Sequence, residues 1–432
     1  MKKTIFYWLF ALATVGIVSC SDTLIQEPML LQPQPQREMT HEVTQAEARQ
    51  QLEEILFDMK TTSTRGTINR LPDITSAHTT GKFTRVTRST QEVEPYFHIF
   101  NFGDNEGFAI MSGDDRVEPL LALTFKGELS PDKQIASPCF RIAYSKIEEY
   151  YVNQVSSRGG GTGLEPDPGP LIPIDSIADD PHIRTETGDP IYEYFEPLTG
   201  YCPVKWGQDD PYNMYCETSD GRPAFTGCVT TAVAQLMAMY RFPTLYSSYL
   251  FNWNVMINTN VHEETGPGTY HIAHLMSLLG SENNLDVDYG AVADNDGSGA
   301  DPDNIPRTFE NFRYSDGGTH IAYNNSDVAE ELINGYPILI CGYDNDAGHM
   351  WLGHGYMIQH IPVYIYEEWR IIPSDTTYLS TPYVLCNMGY DGFYDGYYHT
   401  GCFDTNNFRS TRSTPADGDY SRNLSIVKGI RR

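Results

Sequence analysis

Thr226-Gly227-Cys228-Val229-Thr230-Thr231-Ala232-Val233-Ala234-Gln235-Leu236-Met237-Ala238-Met239-Tyr240 reads as a turn running into a helix. Ala232, Leu236 and Met239 recur at three-to-four spacing and form an apolar face. Pro243 ends the helix, since proline cannot continue one. This places Cys228 at the helix N-terminus, where the macrodipole and free N–H groups favour the thiolate, the attacking form of cysteine. Most cysteines beside an apolar helix are small buried hydrophobes instead. The stretch alone leaves both readings open.

A second stretch supplies a base. The apolar strand Pro337-Ile338-Leu339-Ile340-Cys341-Gly342 is followed by Ala347-Gly348-His349-Met350-Trp351-Leu352-Gly353-His354-Gly355-Tyr356-Met357-Ile358. A histidine that follows a Gly-rich turn and opens an apolar strand is placed to face a cysteine on a helix. His349 fits that description, and His354 stands five residues on as the alternative. A helical His-x4-His zinc pair is the rival, but Gly348, Gly353 and Gly355 make a poor helix and no third ligand has workable spacing. The acidic loop Asp294-Asn295-Asp296-Gly297-Ser298-Gly299-Ala300-Asp301 lacks a twelve-residue calcium pattern closed by Glu, and turn propensity accounts for it. Neither a metal nor a cofactor is expected.

Outside these stretches, composition and the N-terminus set the class. The 432 residues carry 57 Asp+Glu against 29 Lys+Arg, a net charge of −28, which repels phosphate and excludes a generic nucleic-acid binder. A content of 40% hydrophobic residues supplies a sizeable core and excludes wholesale disorder. Lys2 and Lys3 precede the apolar run Ile5 to Val18, which is shorter than the ~20 residues of a membrane span and reads as a signal peptide. Ile17-Val18-Ser19-Cys20 resembles a bacterial lipobox. Residues 1–19 are therefore read as signal and 20–39 as a polar tether on a lipid anchor at Cys20. The expected location is the bacterial outer membrane or cell surface, or the exterior after processing, with that lipid as the only membrane contact. Residues 40–156 read as a compact α+β block. Its first helix runs from Thr40 to Lys60, with Val43, Ala46, Leu52, Ile55 and Leu56 at helical spacing and a Thr44/Glu47 capping box. Strands follow around Phe83-Val86, Tyr96-Phe102 and Gly107-Met111, then a second helix from Phe140 to Val155. Residues 157–190, rich in Gly and Pro, read as a linker offering Arg158 and Arg184 to proteases.

The block 191–432 holds the chemistry, and its motifs resemble, in order, those of the streptopain family of papain-like cysteine peptidases. Val204-Lys205-Trp206-Gly207-Gln208 with Pro211-Tyr212-Asn213 is similar to the family's opening segment. Gly227 to Gln235 is similar to its nucleophile helix, and Gly335 to Ile340 leading to Gly348-His349 to its histidine strand. Tyr289-Gly290 with Gly297 to Ala300, Asn387 to Gly392 with Asp395 to Tyr398, and Asn423 to Ile430 complete the series. Gly107 to Asp114 is similar to the family's prodomain. The resemblance implies an α+β, papain-like peptidase domain, a central nucleophile helix against an antiparallel sheet, preceded by a small α+β inhibitory prodomain. It implies a cysteine endopeptidase made as a zymogen, with protein or peptide substrates and its own prodomain as inhibitor. Cys228 would be the nucleophile and His349 the general base and acid. Gln208 would be an oxyanion donor, and Asn387 a support for the histidine. Two positions depart from the family: Met388 stands where Trp is usual, and His354 where Asp is usual. A non-catalytic surface binding protein that keeps the fold is the alternative they leave, with an adhesin or glycan binder beside it. Six of the eight cysteines remain once Cys20 and Cys228 are assigned. Cys202 and Cys216 are a candidate pair, but a thiol enzyme works reduced, so mostly free thiols are expected.

Overall fold

The computed structural model describes residues 41–62, 71–84, 93–158, 183–263, 265–343, 348–367, 370, 372–404 and 424–432. The signal, Cys20, the tether and most of the linker lie outside the described residues. The first helix, α1 (Gln45–Thr62), starts after the expected capping box: the Thr44 N–H donates to Glu47 and the Glu47 N–H to the Thr44 hydroxyl. Ala48, Leu52, Ile55, Leu56 and Met59 are its buried stripe, each of the larger ones adding ~1.5–3 kcal/mol of apolar burial. Ala46, expected on that face, is exposed. Strands β1 (Ile74–Thr80), β2 (Phe97–Phe102), β3 (Phe108–Ser112) and β4 (Leu120–Thr124) follow, then α2 (Pro138–Arg158). The first described strand thus lies at 74–80; of the strand expected around 83–86, Phe83 and Thr84 are described and are not in a strand, and the rest lies outside the described residues. β2, β3 and β4 are buried along their whole length. One face carries Phe97, Ile99, Phe108 and Ile110 into the core shared with α2, and the other turns Phe100, Phe102, Ala109 and Met111 towards α1.

Within the expected linker, β5 (Ile183–Thr187) is already a strand, followed by β6 (Ile191–Phe195). Both pair with β11 (Gly348–Glu367). Between them in the chain come α3 (Cys228–Tyr240), the short hairpin β7 (Leu245–Tyr246) and β8 (Tyr249–Leu250), α4 (Trp253–Asn258), α5 (Pro267–Gly280), α6 (Ile305–Asn311), β9 (Asp316–Ala322), α7 (Asn325–Ile333) and β10 (Ile338–Tyr343). β12 (Asp375–Asn387), β13 (Gly396–His399) and β14 (Ser425–Arg431) end the chain.

The two expected blocks share one sheet. Its strand order is β1-β2-β3-β4-β13-β12-β11-β10-β14-β9, and every pairing is antiparallel. The joint is β4 on β13, with Thr124, Leu123 and Ala122 opposite Gly396, Tyr397 and Tyr398. His41–Arg432 accordingly forms a single compact unit. A strand edge left open is a template for pairing, and the N-terminal block covers this one. α3 lies against β11, buried at every position from Cys228 to Met239.

Candidate active site

The start of α3 depends on one glycine. Gly227 precedes Cys228 with φ 86°, and a Cβ there would lie 2.8 Å from the Ser298 carbonyl oxygen. Only glycine tolerates both the positive φ and that approach. Cys228 is 5% exposed, and its Sγ lies 3.9 Å from the Gly348 carbonyl oxygen. The Met350 backbone N–H also reaches the sulfur. Cys228 therefore packs against the residues on either side of His349, which opens β11 opposite Gly342 and is half-buried. Burial pushes the Cys228 thiol above its ordinary value, while the N–H groups of Met350 and Val229 pull it down. Burial thus favours the neutral thiol in this closed state.

The segment bearing Gln208 is held beside the helix. The Thr226 N–H donates to the Gln208 carbonyl at 3.0 Å, and the Trp206 N–H donates to Gln235 Oε1 at 3.0 Å. The Asn387 Nδ2 donates to the Val204 carbonyl at 2.9 Å, and its Oδ1 accepts the Gly389 N–H at 3.0 Å. It ties the end of β12 to the chain entering Trp206. Met388 is fully buried, and its N–H donates to Asp395 Oδ1 at 2.8 Å.

His354 lies five residues further along β11. The pairing of β11 with β12 slips between Gly353 and Gly355, so His354 is the extra residue of a β-bulge. Bulges re-aim a side chain. Its Nδ1 accepts the Cys202 N–H at 3.2 Å, and Tyr201 meets the ring edge-on. Burial lowers its pKa to about 3, so it is a neutral acceptor. Among the described residues no group of three or more His, Cys, Asp or Glu is placed to hold a metal ion, and the seven described cysteines are free thiols.

Sequence reasoning gave no role to the N-terminal block's cysteine. Cys139, in the first turn of α2, donates from Sγ to the Met350 carbonyl at 3.5 Å, on the strand that Cys228 touches. A lone Cys in an amphipathic helix carries no local signal for this. Nearby, Phe140 stacks on Tyr394 with centroids 4.5 Å apart, and the Phe125 N–H donates to the Asp395 carbonyl. Lys126 Nζ donates to the Asp391 carbonyl at 2.9 Å and sits 4.0 Å from the centre of the Phe393 ring. Asp395 is buried behind these contacts, and burial raises its pKa to about 7 against the pull of Lys205 and Lys126.

Residues 206–398 match the Peptidase C10 family, and residues 40–152 match the Spi protease inhibitor family. The thiol protease/hemagglutinin PrtT of Porphyromonas gingivalis is 24% identical over 387 residues, which are 84% of this chain and 40% of PrtT. This chain thus spans well under half of that relative. Streptopain of Streptococcus pyogenes is 24% identical over 294 residues, 60% of this chain and 67% of streptopain. Among solved structures, a prointerpain A fragment of Prevotella intermedia shares the fold, with a TM-score of 0.53 at 21% identity, covering 83% of this chain and 99% of the fragment.

Proposed function

We propose, from the match of residues 206–398 to the Peptidase C10 (streptopain) family and of residues 40–152 to a protease-inhibitor family, an exported cysteine endopeptidase made as a zymogen. The observation that carries the reading is Cys228 at the N-terminus of α3, packed against Gly348 and Met350 on either side of His349. Once the site opens, His349 takes the Cys228 proton and the thiolate attacks the scissile carbonyl. Gln208 and the Cys228 N–H stabilise the oxyanion, and His349 then protonates the leaving amine. Water hydrolyses the acyl-enzyme by the same residues in reverse roles.

The prodomain supports latency in two ways. It caps the β13 edge, and its α2 places Cys139 on the Met350 carbonyl beside the nucleophile. Cleavage within 157–190 removes it. Since β5 is paired with β11, with Arg184 opposite Tyr366, a cut on the N-terminal side of Ile183 leaves that strand on the peptidase sheet. Arg184 is thus a poorer processing site than the residues before β5. A lipid at Cys20 would tether the zymogen to a bacterial membrane. Cys228→Ala tests the reading: the variant should lose peptide hydrolysis while folding as the native chain does. A variant cleaving casein at the native rate would refute it.

A further inference from the structure

The segment that bears Gln208 follows a path along the nucleophile helix. Cys228, Thr231 and Gln235 are spaced three and four apart, so they share one face of α3. The segment 206–208 climbs that face. The Trp206 N–H is held by Gln235 Oε1 at 3.0 Å, two turns below the cysteine. One turn higher, the Thr231 hydroxyl lies 3.2 Å from the Gly207 carbonyl. At the top, the Gln208 carbonyl accepts the Thr226 N–H at 3.0 Å, two residues before Cys228.

The Thr231 hydroxyl has one proton to give. The Gly227 carbonyl, also 3.2 Å away, already accepts the Thr231 N–H at 3.1 Å. The Thr226 hydroxyl, 3.0 Å away, is the third oxygen in reach, and Gly207 is the one partner among the three that lies on the segment bearing Gln208. Thr226, Thr231 and Gln235 are each 0% exposed, so water cannot take over a lost bond without a cavity opening. The nucleophile and the segment bearing its oxyanion donor are thus fixed to one rigid helix.

We infer that Thr231 and Gln235 are positioning residues of the peptidase site: through Gly207 and Trp206 they set where Gln208 stands relative to Cys228. The inference rests on the proposed roles of Cys228 and Gln208. Neither threonine nor glutamine touches substrate. Their effect falls on the step that develops the oxyanion, and not on formation of the thiolate.

That separation makes the test. Processed enzyme carrying Thr231→Val, which keeps the side-chain shape and removes the hydroxyl, is compared with Thr231→Ser and Gln208→Ala. Kinetics on a peptide substrate are read beside the rate of Cys228 alkylation by iodoacetamide, which needs the thiolate and no oxyanion donor. Thr231→Val should lower kcat by about 10- to 100-fold at near-constant KM, the scale expected for a misplaced oxyanion donor. Alkylation should be unchanged, Thr231→Ser should restore kcat, and the pair Thr231→Val with Gln208→Ala should cost no more than Gln208→Ala alone. Equal losses in kcat and alkylation would mean general damage and overturn the inference. So would native kcat in Thr231→Val alongside a crippled Gln208→Ala, which would leave the function reading intact. A fully active Gln208→Ala would instead remove the oxyanion role and this inference with it.

Discussion

Lys126 offers a direct measure of how firmly the prodomain closes the site. It comes from the turn after β4, and its ammonium donates to the Asp391 carbonyl at 2.9 Å while facing the Phe393 ring at 4.0 Å. Both partners belong to the peptidase block, so both contacts vanish when the prodomain lifts away. A hydrogen bond from a charged donor contributes about 1.5–3 kcal/mol and a partly exposed cation–π contact about 0.5–1 kcal/mol. Lys126 is half-buried, so desolvation of its ammonium offsets part of this. A net loss of about 2 kcal/mol is expected for Lys126→Met, which retains most of the aliphatic stem. At 1.4 kcal/mol per tenfold, that is about a 30-fold larger open fraction. Cys228 is 5% exposed in the closed chain, so a thiol reagent reaches it only from the open state. Where closing outruns reaction, the labelling rate follows the opening equilibrium. The assay is the rate of Cys228 labelling in uncut chain, with processed enzyme as the reference for intrinsic reactivity. The expected result is a rate about 30-fold above native for uncut Lys126→Met, with no difference after processing. A folded, uncut variant labelled at the native rate would show that the Lys126 contacts do not hold the prodomain down.

Two further expectations concern buried titrating groups. His354, held neutral with a pKa of about 3, loses the proton competition to the unfolded chain as pH falls from 6.5 towards 3, so stability declines over that interval. His354→Ala leaves the Cys202 N–H without its acceptor and should cost about 1–3 kcal/mol in urea unfolding; the acid limb of kcat/KM should stay, and its disappearance would make His354 a participant in catalysis. Asp395 shifts the opposite way. Its pKa is raised to about 7 by burial, so the native chain keeps a proton that the unfolded chain has released, and stability falls as pH rises from about 4 to about 7. Asp395→Asn preserves an acceptor for Met388 and should flatten that part of the profile, measured by denaturant unfolding near pH 5 and near pH 8. An unaltered slope in the variant would place its source elsewhere.

Local patterns were enough for much of this chain. The turn-to-helix run through Cys228 and the Gly-rich approach to His349 carry period and punctuation within a dozen residues, and so does the Thr44/Glu47 capping box. These signals depend on neighbours in sequence, and the structure keeps the helix from Cys228, the strand from Gly348 and the capping box. β4 escaped because Leu120–Thr124 is buried on both faces, which erases the alternation that marks a half-exposed strand. β5 escaped because a strand held by backbone pairing to β11 needs no apolar pattern of its own.

The sequence by itself singled out Cys228 and His349 as the candidates for the chemistry, by residue type, local setting and resemblance to a family. Tertiary structure alone decided how they are governed. Pairing of β4 with β13 joins the two blocks into one sheet, and Cys139 comes to the Met350 carbonyl from over two hundred residues away in the chain. The bulge at His354 aims that ring at the Cys202 N–H, and Asn387 is bound to Val204. Each of these rests on backbone hydrogen bonds or packing between distant segments. Such contacts leave no trace in local spacing, because any residue can supply an N–H or a carbonyl.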